Sequence, residues 1–66
     1  MQVQVNGETH ELAENSTVAT LLEQLELASH PVAVEVNLDV VPRAQHAEHV
    51  LNDADQIEIV TLVGGG

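Results

Sequence analysis

The chain opens Met1-Gln2-Val3-Gln4-Val5-Asn6-Gly7-Glu8-Thr9-His10-Glu11-Leu12, and these residues decide the fold. Met1 to Val5 alternates with the period of a half-buried strand. Asn6-Gly7 tolerates positive φ at both central positions of a type I′ turn, so it predicts a hairpin. Glu8 to Leu12 is then the returning strand. A hairpin followed by a helical crossover into more strands implies a mixed sheet with one helix packed across a face.

The helix comes next. Val18, Leu21, Leu22 and Leu25 fall at i, i+3, i+4 and i+7 and make one apolar stripe. Ser16 or Thr17 caps its start by accepting a bond from an unpaired backbone N–H. Glu23 and Glu26 face solvent, and the pattern ends near Leu27. Ser29-His30-Pro31 is a loop, because Pro31 cannot continue a helix. Val32 to Val36 is a third strand, rich in β-branched residues. Asn37-Leu38-Asp39 reads as a turn, and Val40-Val41 as a short fourth strand stopped by Pro42. Arg43 to Val50 reads as one helical or 3₁₀ turn and then an extended piece. Asn52 to Asp55 is a turn, since Asn and Asp bond their own backbone. Ile57 to Leu62 is the last strand, and Gly64-Gly65-Gly66 ends the sequence. The expectation is an α+β fold: one domain over residues 1–66, with four to five strands, one main helix, and a flexible tail at 63–66.

Composition narrows the function. With 66 residues, the chain buries only about 60% of the surface its unfolded form exposes. It has no cysteine to staple a small secreted domain, and it shows no leader or membrane-length apolar run, so a cytoplasmic location is expected. Eleven acidic residues face one basic residue, Arg43, for a net charge of -10. That balance argues against nucleic acid and anionic membranes, and favours a basic partner surface. The absence of Phe, Tyr and Trp removes the stacking platforms of single-strand binders. At 44% apolar residues the chain is nonetheless too hydrophobic to stay disordered.

No conventional active site is visible. Ser16 and Ser29 have no His or Asp arranged beside them, and no Gly-rich loop joins a strand to a helix. His46 and His49 lie three apart, but nothing supplies a third ligand, so they read as surface histidines and no metal is expected. The tail carries the chemistry. Glycines have no side chains to clash in a narrow channel, and the α-carboxylate of Gly66 reacts without help from a side chain. Alternation along the last strand turns Ile57 and Ile59 inward and leaves Val60 and Leu62 exposed beside the tail, a candidate docking patch.

Together these residues resemble the ThiS family, the ubiquitin-like sulfur carriers of thiamin biosynthesis. The likeness rests on Thr17-Val18 opening a helix with Leu21-Leu22 and Leu25, on Val41-Pro42-Arg43, on Asp53 to Val60, and on Val63-Gly64-Gly65-Gly66. It implies a β-grasp fold with the first and last strands adjacent and parallel. It also implies that a ThiF-like enzyme adenylates Gly66 with ATP, the chain itself binding no cofactor. Sulfur from a cysteine desulfurase or another donor then gives a thiocarboxylate for the thiazole synthase ThiG. Gly64 and Gly65 would help the tail extend. The chain departs from the family pattern at His46, where many relatives carry tryptophan, and at Ala54, where the turn usually reads Asp-Gly-Asp. A MoaD-like carrier for molybdopterin and a ubiquitin-like modifier or binding module are the alternatives.

Overall fold

In the computed structural model residues 1–62 are described, and the tail at 63–66 lies outside them. The opening hairpin forms as its turn dictates. β1 (Gln2–Val5) pairs antiparallel with β2 (Glu8–Glu11), and Val5 lies opposite Glu8. The two intervening residues, Asn6 (φ 50) and Gly7 (φ 85), both take the positive φ of a type I′ turn.

The helix α1 (Val18–Gln24) begins at Thr17, whose Oγ1 accepts from the Thr20 N–H at 3.2 Å. Ser16 is buried instead and donates its hydroxyl to the Ala13 carbonyl at 2.7 Å. Two more of the helix's first N–H groups find carbonyls on a distant loop: Val18 N donates to His49 O and Ala19 N to His46 O. The helix stops short of Leu27. Leu27 N returns to Leu22 O at 2.7 Å and Glu26 N to Glu23 O at 3.0 Å, the bond pair of a Schellman ending. Glu26 holds the left-handed position at φ 62. Leu25 and Leu27 still pack against the core, which is why apolar spacing overstated the helix.

β3 (Val32–Val36) and β4 (Asp39–Val41) form a second hairpin around Asn37 (φ 52) and Leu38 (φ 73). Asp39 pairs with Val36, so it belongs to the strand rather than the turn. A 3₁₀ turn at Arg43–Gln45 follows Pro42, and the extended piece after it bridges Val50 to Thr17. β5 (Gln56–Thr61) completes a five-stranded sheet of order β2-β1-β5-β3-β4. β5 is central, parallel to β1 and antiparallel to β3. Val3, Val34, Ile57 and Ile59 turn one sheet face toward Val18, Leu21 and Leu22 of the helix, closing an aliphatic core.

His46 is not on the surface. It is 8% exposed, and its Nε2 lies 3.1 Å from the Val41 carbonyl. The ring is buried because that carbonyl satisfies its one inward polar atom. His49 is half-buried.

The turn before β5 is tied to the start of β1. Asp53 Oδ1 accepts from Gln2 N at 2.8 Å, Ala54 N donates to Gln2 O at 2.7 Å, and Asp55 Oδ2 accepts from Asn52 N at 2.8 Å. These bonds hold Ala54 at φ 71, where a Cβ is strained. Ala54→Gly is therefore expected to stabilise the protein by on the order of 1 kcal/mol. That corresponds to a rise of roughly 4–8 °C in Tm for a domain this small. Thermal unfolding followed by circular dichroism checks it; an unchanged or lower Tm rejects it.

Candidate functional site

β5 carries the chain to its end, and it is held on both sides. On one edge Gln4 N donates to Asp55 O and Asn6 N to Ile57 O, both at 2.9 Å. On the other edge the pairing with β3 runs from Val36↔Ile57 to Val32↔Thr61. One further bond, Leu62 N to Pro31 O at 2.9 Å, secures the last described residue. The strand is thus fixed up to Leu62, the last described residue. Gly64, Gly65 and Gly66 themselves lie outside the described residues.

The Asn6 side chain adds a rung where β1 has already turned away. Its Oδ1 accepts from Ile59 N at 2.8 Å, and its Nδ2 donates to Ile59 O at 3.0 Å. One amide thereby does the work of a strand residue and keeps β5 paired up to the exposed patch. Sequence reading found Asn6 as a turn residue only; its reach to β5 depends on a non-local register.

Val60 and Leu62 are exposed, at 59% and 50%. They lie on the sheet face opposite the helix. Register adds residues that the sequence reading missed: Ala33 sits directly across from Val60, and Val40 occupies the same face of β4. Glu35 and Glu58 are cross-strand neighbours there, two like charges placed opposite each other. Such a pair is unfavourable in the isolated sheet. The period-2 alternation of β3 and β4 contained these positions, but only the pairing register brings them together.

The arrangement offers an apolar patch flanked by carboxylates, on the strand that leads to the chain's end.

The model of the ThiS family matches residues 3–66. The sulfur carrier protein ThiS of Escherichia coli is 38% identical over 66 residues, covering all of both chains. The crystal structure of the thiamine biosynthesis protein ThiS from Geobacter metallireducens superposes with a TM-score of 0.83 at 33% identity, again over the whole of both chains. A thiazole synthase of Paramagnetospirillum magneticum is 42% identical over 66 residues, and there the chain spans only 20% of the relative's length. The sheet order, the parallel β1–β5 pair and these matches agree: the chain belongs to the ThiS family.

Proposed function

We propose that the chain is a sulfur carrier of thiamin biosynthesis whose reacting group is the α-carboxylate of Gly66. A carboxylate oxygen attacks the α-phosphorus of ATP on a ThiF-like partner, and pyrophosphate leaves. A sulfide equivalent from a cysteine desulfurase or a similar donor then displaces AMP, giving the thiocarboxylate. A thiazole synthase takes the sulfur. The likeness of the whole chain to part of a thiazole synthase supports that acceptor. In this scheme the chain is a co-substrate, and the ATP belongs to the partner, which suits a cytoplasmic setting. No helix among the described residues is long and apolar enough to cross a membrane.

One observation carries the reading. The sheet's central strand is bonded on its β1 edge as far as Ile59 and on its β3 edge as far as Leu62, and the sequence then runs directly into Val63-Gly64-Gly65-Gly66. A side-chain-free end on a fixed strand suits insertion into an enclosed site. Val60, Leu62, Ala33 and Val40 would meet the partner's apolar surface, and Glu35 and Glu58 its cations. The intact mass of the chain, after incubation with a ThiF-like enzyme, ATP and sulfide, tests the scheme. A gain matching one oxygen replaced by sulfur, localised to the last peptide, is expected. An unmodified mass under conditions that thiolate the Escherichia coli relative would end it.

A further inference from the structure

Arg43 is the chain's one side-chain cation besides histidine, among eleven carboxylates. It is exposed. The ion pairs found among the described residues are Met1 amine to Glu14 and His10 to Glu8. Arg43 thus has no carboxylate within 4.0 Å there. All eleven side-chain carboxylates lie among the described residues, and none of them pairs with this guanidinium, which leaves it open there to an outside anion.

Its position is fixed. Val41 pairs with Val34, so β4 carries Pro42 and Arg43 back toward the start of β3. There Val32 pairs with Thr61, and Leu62 follows. Arg43 therefore stands just past the end of β4, at the end of the sheet where β5 reaches Leu62. The 3₁₀ bonds Gln45 N to Pro42 O and His46 N to Arg43 O, with the buried His46 ring on Val41 O, hold that turn in place. Beside it an open groove of about 230 Å³ runs between α1 and the 3₁₀ turn. Four alanines and Leu22 make it apolar, and Glu23 and His46 join Arg43 in its lining.

We propose that Arg43 and this groove receive a carboxylate side chain, with a small apolar neighbour, from the adenylating partner. The inference rests on the carrier reading and adds a second contact to it. The tail end of the molecule enters the partner, whose surface then meets both sides: Val60 and Leu62 on the sheet face, Arg43 and the alanine groove on the helix side. The guanidinium fork matches a carboxylate bidentately, which fixes the register of docking as well as its strength.

The sign of one substitution separates this contact from general electrostatics. If the partner is only broadly basic, Arg43→Glu makes the chain more acidic and speeds association. If Arg43 meets a carboxylate, the same change weakens binding. Wild type, Arg43→Lys, Arg43→Gln and Arg43→Glu are titrated calorimetrically against the ThiF-like enzyme. Melting temperatures serve as the control, because the exposed side chain has no internal partner among the described residues. Kd is expected to rise about tenfold for Arg43→Gln, further for Arg43→Glu, and least for Arg43→Lys. Equal binding by all four, or tighter binding by Arg43→Glu, overturns the contact. So does saturable binding of AMP or inorganic phosphate to the isolated wild-type chain that Arg43→Gln removes, since the anion would then be a phosphate. Thiolation of the wild type is measured alongside. A thiolated wild type with indifferent Arg43 variants removes the contact and leaves the carrier; an unthiolated wild type removes both.

Discussion

Removing Gly66 is expected to abolish thiocarboxylate formation, although the shortened chain still ends in a glycine carboxylate. The reacting group is chemically the same; only its reach differs. One residue of extended chain spans about 3.3–3.6 Å, and a misplacement of about 1 Å can lower a rate about 10²-fold. The body has no slack to give back, since Thr61 is paired with Val32 and Leu62 N is bonded to Pro31 O at 2.9 Å. Pyrophosphate release by the adenylating enzyme should therefore fall by at least about 10²-fold, with no mass gain in the product. The proposed docking patch at Val60 and Leu62 is untouched, so the shortened chain should compete with the full-length one for the enzyme. Thiolation of the shortened chain at the wild-type rate would show that the position of the carboxylate is unimportant, and with it the tail hypothesis would fail.

Much of this architecture was legible because its signals are local. Asn6-Gly7 specifies its turn through backbone freedom at two adjacent residues, and the alternation Ile57, Ile59 against Val60, Leu62 states which side is buried. What was illegible depended on contacts distant in sequence. Apolar spacing reports which residues face the core, and Leu25 and Leu27 do face it, yet the chain there has already left the helix. His46 looks like a surface residue until the Val41 carbonyl is placed beside its Nε2. The other half of the exposed sheet face, Ala33 and Val40, lies on two strands whose register no short window contains. The resemblance correctly implied the parallel β1–β5 pair, which periodicity alone did not distinguish from an antiparallel one.

Asn6→Ala is expected to destabilise the protein by about 3 kcal/mol. Two hydrogen bonds disappear, leaving the part-buried N–H and C=O of Ile59 without their partners. Each loss costs about 1 kcal/mol, the low end of the range because the site is not fully buried. Alanine at φ 50 adds roughly another 1 kcal/mol of backbone strain that asparagine tolerates better. Asn6→Gly separates the two contributions: it removes the amide and the strain together, so about 2 kcal/mol is expected. A core this small seldom supplies more than about 3–5 kcal/mol, so the alanine variant should be near its unfolding midpoint in dilute buffer. Urea titration followed by circular dichroism measures both variants, and hydrogen exchange at the Ile59 amide reports the rung itself. If both variants unfold within about 0.5 kcal/mol of wild type, the amide contributes no more than an ordinary surface side chain. If they fall as expected, the hairpin that opens the chain also secures the strand that ends it. The presentation of Gly66 then depends on a side chain sixty positions upstream.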